Sequence, residues 1–157
     1  MRFFYKFRSG FVQALLVLWI CPSAILWSEE PTPVGLWKTI DDHTHKPRGI
    51  IRIFEKNGEY FGRIESSFNE AEKKEICDKC SDDRRGKPVI GLEFLRGMIK
   101  HGAEYSGGEI LDPETGSVYK CRFTLSPDGE MLQVRGYLLA RLLGRTQIWL
   151  RERYNGL

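Results

Sequence analysis

Cys77-Asp78-Lys79-Cys80 is the most reactive-looking run in this 157-residue chain. A two-residue spacer lets both thiols meet in a tight curl, so the pair can close a local disulfide, cycle as a redox dithiol or supply half of a zinc site. The flanks favour the disulfide. A thioredoxin-like pair opens a helix after a βαβ-type strand, whereas these cysteines lie between Glu72-Lys73-Lys74-Glu75 and Ser81-Asp82-Asp83-Arg84-Arg85. Zinc would need about four ligands. The remaining candidates are Cys121, expected in the core, and His43 and His45 beside Asp41 and Asp42 in what reads as a polar hairpin loop. No metal and no cofactor is therefore expected.

Hydrolytic chemistry needs a nucleophile, a base and a group that orients the base. Ser106 precedes two glycines but lacks the glycine-x-serine-x-glycine setting of a nucleophile elbow. Only three histidines exist, and for none does the pattern predict a catalytic neighbour. Asp82-Asp83 sits in a charged loop and reads as a solvated pair rather than an acid/base couple. The expectation is a protein that is not an enzyme.

The first twenty-eight residues carry Arg2, Lys6 and Arg8, then the apolar run Phe11 to Ile20, and no acid. A basic start before a short apolar stretch is the pattern of a secretory signal peptide, and this stretch is shorter than the roughly 20 residues that span a bilayer. Cleavage is expected after Ser28, with Ala24 as the fallback; acylation of Cys21 as a lipid anchor is the minority alternative. Three of the 24 Lys+Arg and none of the 21 Asp+Glu lie in this segment, so the remainder carries 21 of each. That balance removes the basis for a nucleic-acid partner. An exported location, periplasmic or secreted, also permits disulfides.

The elements that must position these residues are strands. From Val34 onward, runs rich in β-branched and aromatic residues recur between turn signals, and no long segment repeats apolar residues at helical spacing. The expected strands are 34–40, 50–56, 60–68, 103–111, 117–125, 131–138 and 145–151, with an eighth inside 89–100. Alternation is cleanest where Tyr119, Cys121, Phe123 and Leu125 share one face. Asn57-Gly58, Asp112 to Gly116 and Pro127-Asp128-Gly129 supply turn chemistry between consecutive strands. The fold expected is all-β, an antiparallel up-and-down barrel of about eight strands over 34–152, with a sandwich as the alternative. It follows the signal peptide (1–28) and a short linker (29–33), and precedes a tail (153–157). Two segments break the pattern. Residues 69–87 form a connection too long for a hairpin, of the kind that is functional or mobile. Residues 91–99 fit a helical face through Leu92, Leu95 and Ile99 and a strand through Leu92, Phe94 and Met98.

Gly35-Leu36-Trp37 ahead of the first strand resembles the glycine-x-tryptophan start of lipocalin-like barrels, in which the tryptophan closes one end and a late arginine packs over it. The resemblance implies that role for Arg151. A wider set comprises Gly86-x-Pro88 and Gly91, Ser106-Gly107-Gly108-x-Ile110-x-Asp112-Pro113, Tyr119, Val134 to Tyr137, and Gly144-Arg145-Thr146-Gln147-x-Trp149. Together these resemble the domain-of-unknown-function 2147 family of small exported bacterial proteins, over residues 34 to 152. The family implies a lipocalin-like barrel and brings no established activity; Tyr105 stands where tryptophan is expected. Most of these motifs record turns and barrel geometry, with Gly107-Gly108 suited to a bulge. Arg135, Tyr137, Arg145, Gln147 and Trp149, on the last two strands, are the long side chains whose alternation could put them on one face. With Trp37, Tyr105 and Arg151 they are the candidates for ligand binding or barrel closure. The expected role is binding a small apolar or amphipathic molecule. The alternatives are an envelope module with a side-chain-filled barrel that docks another protein, and a thiol-redox protein using Cys77 and Cys80.

Overall fold

Alternating strands with tight turns leave each strand one apolar side to bury, and closing the sheet on itself buries all of those sides at once. The computed structural model describes residues 30–41, 44–138 and 144–153, and shows this solution. Its strands are β1 (Gly35–Ile40), β2 (Pro47–Lys56), β3 (Glu59–Ser67), β4 (Glu93–His101), β5 (Glu104–Asp112), β6 (Ser117–Leu125), β7 (Met131–Tyr137) and β8 (Gly144–Glu152). Each pairs antiparallel with the next, and β8 returns to β1 through Trp37↔Arg151 and Thr39↔Trp149. The up-and-down barrel expected from the sequence is the architecture observed; the sandwich is not. The expected signal peptide, Cys21 included, lies outside the described residues, as do Asp42 and His43.

Local chemistry explains the departures from regular pairing. Asn57 and Gly58 adopt φ of 55° and 81°, the two positive values that a two-residue hairpin turn between β2 and β3 requires. The ambiguous 91–99 segment is strand β4. Its register against β3 shifts twice, between Tyr60 and Gly62 and between Gly62 and Arg63, so the adjacent Phe94 and Leu95 are both buried and neither a period of 2 nor one of 3.6 fits. The register of β5 on β6 shifts between Ser106 and Glu109, at Gly107-Gly108. A Cβ on Gly108 would stand 2.1 Å from the Arg96 carbonyl oxygen, so the chain can pass there only as glycine.

Hairpin direction divides the barrel into two ends. One carries the 57–58, 102–103 and 126–130 turns with the segment before β1; the other carries the 41–46 turn, the long 68–92 connection and the 113–116 turn. The first end is filled. Tyr105 stacks on Phe123 at 4.7 Å between ring centroids and meets Tyr60 edge-on at 5.0 Å, with Met98, Leu132 and Ile53 buried beside them.

Trp37 seals this end. Its side chain is fully buried, and its indole Nε1 donates to the Pro33 carbonyl at 2.8 Å. The Arg151 guanidinium lies 4.3 Å from the Trp37 ring centroid and donates to the carbonyls of Gly129, Val34 and Thr32. One cation thereby ties the last strand, the β6–β7 turn and the segment entering β1 to a single aromatic face. Arg151→Ala should cost about 2–4 kcal/mol through the lost cation–π contact and unpaired carbonyls. Urea unfolding of the variant checks this, and an unchanged midpoint would sink the clamp.

Candidate functional site

Among the described residues, side chains leave the opposite half of the barrel unfilled. Inward positions of six strands, Ile51, Ile64, Phe94, Ile110, Val134 and Trp149, line a cavity of about 470 Å³ that opens at the end with the long connection. That volume is within the range of small-ligand sites. Trp149 is buried against Phe94, 6.0 Å between ring centroids, and its Nε1 donates to Gln147 Oε1 at 3.4 Å. The mouth is polar. Arg48 pairs with Glu72 and Glu114, and Glu72 also accepts from Ser67 Oγ at 2.8 Å and Asn69 Nδ2 at 3.3 Å. A second, shallower chamber of about 380 Å³ adjoins it and shares Arg48, Glu72, Glu114 and Arg145 with the cavity.

The 68–92 connection forms a strap that builds part of this mouth. A 3-10 turn at Glu72–Lys74 begins it, and an isolated bridge between Ile76 and Pro88 closes its neck. Glu72 and Glu75 on one limb and Val89 and Ile90 on the other line the cavity. Beyond the neck, Cys77 and Cys80 form the expected disulfide, with Cα atoms 5.4 Å apart and both residues buried. The tip is fastened to the barrel: Lys79 Nζ donates to the Glu114 carbonyl at 2.9 Å, and Arg96 Nη1 to Asp83 Oδ1 at 2.7 Å. Arg84 is fully buried, held by Asp82 and by Glu109 of β5 at 3.2 Å, so its charge is paired rather than stranded. The Arg84 hydrogen bonds lower the Asp82 pKa, and those from Arg96 and Lys87 hold Asp83 well below the usual carboxylate range. A connection that composition marks as charged loop is thus a pinned element.

The sequence candidates separate into three places. Arg145, Gln147 and Trp149 line the cavity. Trp37, Arg151 and Tyr105 lie at the filled end, and Tyr105 belongs to the aromatic stack rather than the cavity wall. Arg135 and Tyr137 do not share the face of Arg145, Gln147 and Trp149. The register pairs Val134 with Gln147 and Gly136 with Arg145, which turns those residues inward and sends Arg135 outward to donate to Thr146 Oγ1 at 2.8 Å. Sequence reasoning missed Arg48, because β2 begins at Pro47, three residues before the apolar run, and the β1–β2 register shifts between Thr39 and Ile40. It missed Glu72 and Glu75 because nothing in a charged stretch says which acids face a cavity.

Cys121 is a free thiol in the core, and burial pushes its pKa up to about 12. Among the described residues, no three metal-ligating side chains come together, and no histidine or cysteine lines the cavity.

A closed eight-stranded antiparallel barrel with one sealed end and one open cavity is a lipocalin-like β-barrel. It is similar to a solved structure from the human pathogen Helicobacter pylori, described as a protein that belongs to the lipocalin family: TM-score 0.68, 21% identity, covering 78% of this chain and 84% of that one. No curated protein matches. Residues 35–151 match the family described as "Uncharacterized protein conserved in bacteria (DUF2147)", and the chain belongs to that family.

Burial raises Cys121, and burial followed by the neighbouring Tyr105 and Glu55 raises Tyr60 to about 12. Groups with a raised pKa in the fold contribute stability below their unfolded pKa and lose it as pH climbs toward the folded one. The melting temperature should therefore fall between about pH 9 and pH 11, and less steeply in Cys121→Ala than in the parent. Thermal melts across that range decide it; parallel slopes would remove Cys121 from the account.

Proposed function

We propose that this protein is an exported, non-catalytic barrel that holds one small apolar or amphipathic molecule in its cavity. The observation that carries the reading is the unfilled half of the barrel: aliphatic and aromatic walls around about 470 Å³, with charged groups confined to the mouth. A barrel of eight strands is just wide enough for side chains to fill it, so an interior left open with apolar walls is a place for a ligand body. Thr39, Ser66 and Gln147 give the walls a few hydrogen-bonding points for orientation. Export is supported by the signal-like first 28 residues together with the Cys77–Cys80 disulfide, a bond that persists in oxidising compartments.

A second reading, an interaction module of the cell envelope, draws on the outside of the barrel. Met131 and Leu150 pair across β7 and β8, and Ile148 lies beside them, all three exposed. Such an apolar stripe suits contact with another protein. The thiol-redox reading has less support, because both cysteines of the pair are buried within the strap.

Native mass spectrometry of the protein purified gently from its own cells should show a reproducible small-molecule adduct. Val134→Trp, which fills the cavity from β7, should remove the adduct while leaving the circular dichroism of the barrel intact. A bare chain mass from the parent protein would instead favour the interaction module.

A further inference from the structure

Resting on the binding reading above, the paired chambers point to a more definite ligand: we infer a single-chain amphiphile whose head group is uncharged and rich in hydroxyls, such as a glycosyl unit. The apolar cavity takes the chain. The head lies in the outer chamber, which is lined by Asp41, Thr44, Asn69, Glu72, Arg145 and Phe68 together with Pro47, Arg48 and Glu114.

The charges of that chamber argue against an ionic head. Among the described residues, two arginines stand against three carboxylates, Asp41, Glu72 and Glu114, a net of −1, which disfavours a carboxylate or phosphate ligand. Nor are the carboxylates waiting for a cation. Glu72 and Glu114 hold Arg48, Glu72 accepts two further hydrogen bonds, and Asp41 Oδ1 accepts from Thr44 N at 2.7 Å and Thr44 Oγ1 at 2.8 Å. Charge is used inside the rim, and what it offers a ligand is the remaining hydrogen-bonding capacity of planar amide, carboxylate and guanidinium groups.

Phe68 adds the second half of the argument. It is 55% exposed, directly after β3, and it lines the polar chamber rather than the apolar cavity. Its backbone is anchored by a hydrogen bond from its N–H to the Arg48 carbonyl at 2.9 Å, so the ring is presented from a fixed point. Outside the core, this aromatic is accessible to a ligand in the chamber. A pyranose ring has an apolar C–H face that lies flat on an aromatic and a rim of hydroxyls that meets planar polar side chains, which is the combination this chamber supplies.

The test uses octyl glucoside, octanoate, octyltrimethylammonium and free glucose, each below micellar concentration, titrated calorimetrically into the purified protein. Octyl glucoside should bind at least about tenfold more tightly than either ionic octyl compound or glucose. Phe68→Ala, a surface change that leaves the core untouched, should remove most of that preference without altering octanoate binding. Equal binding of the three octyl compounds, or preference for an ionic one, overturns the head-group inference and leaves the cavity reading standing. Glucose binding as well as its octyl derivative overturns joint occupancy of the two chambers. No binding of any octyl compound removes the cavity reading and this inference with it.

Discussion

Everything in this barrel depends on β1 meeting β8. The two strands are separated by the whole domain, and they share only four residue pairs, from Leu36↔Glu152 to Thr39↔Trp149. Bringing such distant segments together carries the largest loop-closure entropy of any pairing in the molecule, and failure would leave two open sheet edges. The Arg151–Trp37 clamp sits in the middle of that seam. It joins the entering segment, the seam and the β6–β7 turn through one guanidinium. Because Trp149 lies two residues before Arg151 in the same strand, the cavity wall starts where the clamp ends. The closing clamp and the cavity wall share a strand.

Once closed, the barrel treats its two halves differently. Large rings collect at the sealed end, where Tyr60, Tyr105, Phe123 and Trp37 consume the interior volume. At the other end the inward residues are mostly Ile and Val, too small to meet across an eight-stranded barrel. Such a space persists only if the wall around it is stiff. The strap supplies that stiffness through a buried disulfide, a buried arginine with two acid partners, and ion pairs to β4 and β5. A flexible connection of the same length would leave Val89 and Ile90 without a fixed position at the rim.

Fold was legible where one constraint acted alone. In β6, Tyr119, Cys121, Phe123 and Leu125 face inward in strict alternation and both strand ends match their expected residues, because the strand contains no bulge. In β4 two register shifts put Phe94 and Leu95 inside together, and the sequence reads as helix and strand at once. The site was legible in part. Trp149, Gln147 and Arg145 follow from alternation, but Arg135 and Tyr137 were grouped with them because relative register between neighbouring strands is not written in either strand. Arg48, Glu72 and Arg84 were beyond reach for another reason: their roles come from long-range pairing, and a charged side chain carries no periodic signal of its partner.

That pairing also explains how the electrical neutrality outside the first 28 residues is used. Arg52 and Arg63 share Glu65, Arg96 joins Asp83 and Glu93, Arg122 meets Glu104, and Lys38 meets Glu152. Surface pairs of this kind add little stability singly. Their collective effect is on the field: opposite charges held within hydrogen-bond distance cancel beyond a few ångströms, which weakens the steering of a charged partner by the described residues. On the proposed binding reading, selection of a ligand falls to short-range terms, the shape of the apolar chamber and the hydrogen bonds of its mouth. A molecule that meets those terms needs an apolar body long enough to leave bulk water and a polar end that tolerates a rim whose charges are already matched.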